Sequence, residues 1–123
     1  MTDRHRASQI RQRILKLVAE LLALQNELLR HRQMIPASLL ERYLGSTEQK
    51  RPSCAFYLSF LQNGRTKLVY VPRDRLDAVS AKVKTWREYR AGVRRWRELS
   101  AQIYRLLREL GQAQAQDPGK GKR

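Results

Sequence analysis

Asn63-Gly64 constrains this chain more than any other two residues. The strings AFYLSFLQ and RTKLVYV flank it, and Asn-Gly fills a type I′ turn because both central positions need positive φ. A two-residue turn predicts a hairpin over 55–71 and fixes its register. Phe60 then faces Lys67, Leu58 faces Val69 and Phe56 faces Val71. The opposite face carries Leu61, Ser59 with Leu68, and the cross-strand pair Tyr57 and Tyr70. A lone hairpin is only marginally stable in water, so the apolar base of this one has to rest on other elements.

Two long helices are expected to supply that support. Ile10, Ile14, Leu17, Leu21, Leu24 and Leu28 recur at steps of 4, 3, 4, 3, 4, a heptad seam that predicts a helix over 7–32. Val18, Leu22 and Leu29 widen it. From Asp74 a second helix is expected to run to Leu110. Its apolar positions include Leu76, Val79, Val83, Trp86, Val93, Trp96, Leu99, Ile103, Leu107 and Leu110. Asp74 and Asp77 favour its positive dipole end, and Gly92 is a weak point inside it.

Between helix and hairpin, Ser38 and Glu41 stand in the Ser-x-x-Glu relation of a capping box. A short helix over 38–44 is therefore expected, with Gly45 as its stop. STEQKRPS (46–53) reads as a loop, and residues 113–123 as a disordered tail. The expected fold class is α+β, mainly α: two long antiparallel helices with the short helix and the hairpin at one end, in a single domain of 1–112. The second helix should outreach the first, leaving Ile103, Leu107 and Leu110 for a homodimer or protein partner.

Charge narrows the function. Against 11 Asp and Glu stand 26 Lys and Arg, a net charge of +15 in 123 residues. Such an excess repels itself in the compact state and attracts phosphate-rich partners. Arginine dominates the basic set, which suits bidentate phosphate contact. Eleven basic and four acidic residues lie between Arg73 and Arg108, more than internal pairing can neutralise. Lys84, Arg87, Arg94 and Arg95 are expected to project away from the apolar seam, with Arg73 at the helix start and Arg65 and Lys67 beside the hairpin tip. These seven form the expected phosphate-contacting set. The bland alternative is a solvated, partly salt-bridged surface. Trp86 and Trp96 could stack on bases, yet their spacing on the apolar seam favours core packing.

Catalysis finds little support. His5 and His31 are isolated, the acids are scattered singly, and no phosphate-cradling glycine loop or Ser/His/Asp pattern is present. Cys54 is the only cysteine, which rules out an intramolecular disulfide and a cysteine-rich zinc site. It is expected to be structural or incidental. No cofactor is implied. No run of about 18 apolar residues is present, and the basic N-terminus lacks a secretory apolar segment. The expected location is the cytoplasm.

IPASLLERY (35–43), FYLSFLQNGRTKLVYVP (56–72) and WREYR (86–90) together resemble a family of small basic bacterial proteins encoded near transposases and other mobile-element genes. The resemblance covers roughly 10–110 and implies a context of mobile DNA rather than a mechanism. Family members often carry a Cys-rich segment before the hairpin. Here that segment is STEQKRPSCA, and a zinc-knuckle role does not carry over. The expected function is a non-enzymatic nucleic-acid-binding accessory protein of a mobile element, with DNA favoured over RNA. The alternative is a coiled-coil adaptor that binds another protein.

Overall fold

The structure, a computed structural model, describes residues 3–44, 53–116 and 119. It is an α+β arrangement, mainly helical, in the order α1 (Asp3–Leu28), β1 (Ser38–Leu44), β2 (Ser53–Gln62), β3 (Arg65–Val71), a single 3-10 turn (Arg73–Arg75) and α2 (Leu76–Gln114). Backbone contacts divide it into two compact units. One comprises residues 1–30 with 92–123, the other residues 31–91, so α2 contributes to both. Among the described residues no helix is long and apolar enough to cross a membrane.

The hairpin forms as the dipeptide dictates. Asn63 has φ +54° and Gly64 φ +76°, the two left-handed residues of a type I′ turn. The pairings Phe60–Lys67, Leu58–Val69, Phe56–Val71, Ser59–Leu68 and Tyr57–Tyr70 are all present. Residues 38–44 correct the expectation of a short helix. They form β1, antiparallel to β2 and running from Ser38 opposite Ser59 to Leu44 opposite Ser53, which makes a three-stranded sheet ordered β1-β2-β3. Seven residues are too few for a helix to hold itself together in water, whereas a third strand relieves the marginal stability of a two-stranded hairpin. Glu41 does not close a capping box; its carboxylate accepts a hydrogen bond from the Cys54 thiol instead. Gly45 and the expected loop up to Pro52 lie outside the described residues.

Within the 31–91 unit, Ala55, Val71 and Val83 are buried. The connection after α1 is tied to α2 where the Ile35 N–H donates to the Lys82 carbonyl at 3.2 Å. Phe56, Leu58 and Phe60, half-buried, share the face of Val71, the more covered of the two; buried Ala55 lies on the opposite, outer face with half-buried Tyr57 and Ser59.

In the other unit α1 meets the C-terminal part of α2. Gly92 lies against Leu28 and Leu24, Trp96 Nε1 donates to Gln25 Oε1, and Arg95 reaches Glu20. The contacts thus step in opposite directions along the two helices, over the part of α2 that belongs to this unit. A Cβ at Gly92 would lie 2.8 Å from Leu28 Cδ2, so the residue that weakens α2 locally also lets α1 approach. The seam of α1 faces inward: Ile10 and Leu17 are buried, as is Leu99 of α2 at 0 % exposure, while Ile14, Leu21, Leu24 and Leu28 are half-buried. Leu22 and Leu29, expected to widen that seam, are exposed. α1 begins earlier than expected, and buried Ala7 shares its unit with Ile103 and Leu110, both half-buried. α2 continues to Gln114, two residues into the expected tail. Beyond Gln116 that tail, apart from Gly119, lies outside the described residues.

A Cβ at Gly64 would meet nothing within 4 Å, so Gly64→Ala tests backbone conformation alone. It should cost about 1–2 kcal/mol, the usual penalty for a left-handed L-residue. Gly111→Ala, equally open but helical, should stabilise by up to about 1 kcal/mol. Urea denaturation midpoints check both signs; a neutral Gly64→Ala would contradict the type I′ assignment.

Candidate nucleic-acid interface

The expected phosphate contacts divide between the units. In the 31–91 unit, Arg65 and Lys67 are exposed on β3, side by side on one face beside the turn. Lys84 and Arg87 lie three residues apart on α2, both exposed, with Lys84 at 4.0 Å from Glu88. Arg73 donates to the Cys54 carbonyl at 3.5 Å, a contact that leaves most of its guanidinium free. Arg90 lies 6.0 Å over the Trp86 ring, which stacks with Tyr89 at 6.3 Å and 17°. The Trp86 ring is thus occupied by side chains of its own helix.

In the other unit Arg94 and Arg95 differ. Arg94 is exposed and makes no ion pair among the described residues. Arg95 is held at 2.8 Å by Glu20 and at 3.5 Å by Glu98. Hydrogen bonding to Glu20 pushes the Arg95 pKa further up, against the opposing effect of desolvation. Arg95 is therefore engaged in joining the helices, which its position in a basic run did not reveal. Of the expected partner contacts, Leu107 is 51 % exposed.

Three arginines outside the expected set form a better-defined site. Arg13 of α1 and Arg105 and Arg108 of α2 line a cleft of about 540 Å³ together with Gln102, Glu109 and Gln112. Leu17 and Leu106 belong to the same lining. Among the described residues none of the three arginines is ion-paired, and Glu109 is the one acid that lines the cleft. Two positive charges are left over, with side-chain amides beside them to orient an anion. Arg13 is over ninety positions from its companions in the chain, so only the pairing of the helices brings them together. The arrangement can bind phosphate oxygens through charge-assisted, bidentate hydrogen bonds.

The outer face of the sheet is the second feature. Leu40, Tyr57 and Tyr70 stand in register across the three strands. The tyrosine rings meet edge to face at 5.8 Å and 66°, and the Arg42 guanidinium lies 5.7 Å over the Tyr57 ring. Glu41 and Cys54 belong to the other face. There burial pushes the Cys54 thiol up, and its hydrogen bond to Glu41 and the carboxylate's charge push it further, against the opposing charge of Arg73. The Glu41 charge, followed by that of Cys54, likewise raises the Tyr43 phenol.

No family profile matches the chain, and no curated protein or solved structure is significantly similar to it.

The raised Cys54 pKa has a definite sign. The folded chain resists losing the thiol proton, so this group's contribution to stability is complete below the unfolded thiol pKa and is lost as pH rises through the folded one. Alkylation of the native protein by iodoacetamide should accordingly rise at higher pH than alkylation of the urea-unfolded chain. Glu41→Gln should move the native profile back down. Native and unfolded profiles that coincide would remove the Cys54–Glu41 interaction.

Proposed function

We propose that this protein is a non-enzymatic nucleic-acid-binding protein that grips backbone phosphates. The observation that carries the proposal is the cleft lined by Arg13, Arg105 and Arg108, three arginines with no ion-pair partner among the described residues. In a chain of net charge +15, that arrangement favours a polyanion over a single acidic side chain. Arg94 in the same unit, and separately Arg65, Lys67, Arg73, Lys84 and Arg87 in the 31–91 unit, are further phosphate contacts on this reading, while Arg95 acts structurally through Glu20. The resemblance of the hairpin string to proteins encoded beside transposases supports a role on mobile DNA, in the cytoplasm.

Each phosphate engaged on duplex DNA releases condensed counterions, worth about 0.9 in the log–log slope of affinity against salt. Replacing Arg13, Arg105 and Arg108 with Ala should flatten that slope by between two and three units, roughly 0.9 for each phosphate no longer neutralised. Arg95→Ala should leave the slope where it is. Titrations of labelled oligonucleotide across a salt series decide the matter. Affinity independent of salt, or none at low salt for DNA and RNA alike, would end the nucleic-acid reading.

One observation favours the adaptor as a second reading. Leu15 and Leu22 on α1 and Leu29, the residue that follows it, recur at seven-residue intervals and are 70 %, 50 % and 74 % exposed. With Ala19 and Asn26 between them they form a second 4-3-4-3 pattern, which suits self-association through a coiled coil. On this reading the chain dimerises through α1, with Leu107, Ile103 and Leu110 as further contacts. Sedimentation should then find a dimer that Leu15→Lys with Leu22→Lys converts to monomer. A wild-type monomer at high concentration would dismiss this reading.

A further inference from the structure

We propose that the outer face of the sheet binds single-stranded nucleic acid, with Tyr70 stacking on an unpaired base, Tyr57 bracing Tyr70 and Arg42 meeting the adjacent phosphate. The proposal rests on the nucleic-acid reading above and names the form of nucleic acid and a place for its bases. Alternation along the strands puts Ser38, Leu40 and Arg42 of β1, Ala55, Tyr57, Ser59 and Leu61 of β2, and Thr66, Leu68 and Tyr70 of β3 on this face. Much of it is open: Leu61 is 75 % exposed, Tyr70 56 %, Leu68 41 % and Leu40 37 %.

The division of roles follows from the geometry. Tyr57 is half-buried and carries the Arg42 guanidinium over its ring. Tyr70 meets Tyr57 edge to face, which steadies the Tyr70 ring, and Tyr70 stays 56 % exposed. At 66° the two rings cannot extend one continuous stack, so the face suits a base turned out of its strand. Sequence-tolerant stacking of this kind, beside a cation that tracks the backbone, is the general mode of single-strand binding.

Charge selects the occupant. None of these face positions is acidic, Arg42 lies among them, and the whole chain is strongly basic. An apolar protein surface would strip water from Arg42 and from the Ser38, Ser59 and Thr66 hydroxyls without pairing them, a desolvation cost. Phosphate and base edges can satisfy each. A second copy apposed through the same face would bring Arg42 towards its own counterpart. Width disfavours the duplex major groove: three strands at about 4.8 Å spacing span roughly 10 Å before side chains, while that groove of about 12 Å admits a two-stranded ribbon. Duplex bases also present no open π-face to stack on.

The test compares binding of (dT)20, (rU)20 and a 20-base-pair duplex by the full chain and by Tyr70→Ala, Tyr70→Phe and the Arg13/Arg105/Arg108→Ala variant. Tyr70→Ala should lose about 5- to 150-fold in affinity for the single strands, the fold-change of one stacked base. It should leave duplex affinity unchanged, and Tyr70→Phe should restore the single-strand affinity. Because Tyr70 is largely exposed, circular dichroism should show all Tyr70 variants folded. The (dT)20 and (rU)20 arms distinguish DNA from RNA, and a Tyr70-dependent loss on either supports the proposal. Equal single-strand affinity in Tyr70→Ala and wild type overturns it; salt-dependent binding sensitive to Arg13, Arg105 and Arg108 would then leave the phosphate reading intact. An equal loss on duplex and single strand also overturns it, as does a change in self-association with no change in oligonucleotide binding. No binding of any oligonucleotide overturns both readings.

Discussion

Strand β2 is bonded along both sides, and the 31–91 unit depends on that double ladder. Its ten residues pair with β1 over 53–59 and with β3 over 56–62, so its central residues are fixed from two directions. Among the described residues of the unit the buried side chains are few and mostly small: Ala55, Val71 and Val83. The exchange of a short helix for β1 follows from the double ladder. An amphipathic turn of seven residues would have left one edge of β2 open, and an open edge invites pairing with another chain. With β1 in place the edges fall to β1 and β3. β3 places Arg65 and Lys67 on its edge, a common device against strand addition.

The other unit is organised by how its few acids are used. Glu20 and Glu98 converge on Arg95, and Glu27 pairs with Arg30. These exposed pairs stabilise little by themselves. Their larger effect is to consume negative charge locally, so that Arg13, Arg94, Arg105 and Arg108 make no ion pair among the described residues and Glu109 alone offsets part of the charge in the cleft. Self-repulsion among those cations opposes the compact state, and the apolar seam around Leu17 and Leu99 has to offset it. An anion in the cleft would relieve that repulsion, so ligand binding and helix pairing should be coupled in the same direction.

How legible each feature is depends on whether its cause is local. The hairpin can be read to the residue, because Asn63-Gly64 sets the turn and the turn sets every pair beyond it. Helix α2 is legible in type and extent because its apolar period persists for over thirty residues. SLLERYL misleads because Ser38 and Glu41 satisfy a helical motif as well as the alternation of a strand; the deciding partner, Ser53–Ser59, lies well along the chain. The Arg13–Arg105–Arg108 cleft leaves no mark on the sequence, since its members are neighbours only after α1 and α2 pair. Arg95 misleads for the same reason: Glu20, which holds it, is 75 residues away. Sequence spacing offers Glu98 to Arg94 at i,i+4, whereas the structure gives it to Arg95 at i,i+3.

The two candidate surfaces differ in what they can recognise. A guanidinium cleft reads charge, and phosphate is the same at every nucleotide, so it supplies affinity without sequence preference. An aromatic face reads whether a base is free to stack. A protein with both would grip any nucleic acid through its arginines, yet hold most firmly where a strand is unpaired. The preference would arise from the state of the nucleic acid and not from its sequence. It would also persist at salt concentrations that weaken the phosphate contacts, because stacking releases no counterions. Strand-separated segments, as at nicks and gaps, have that character.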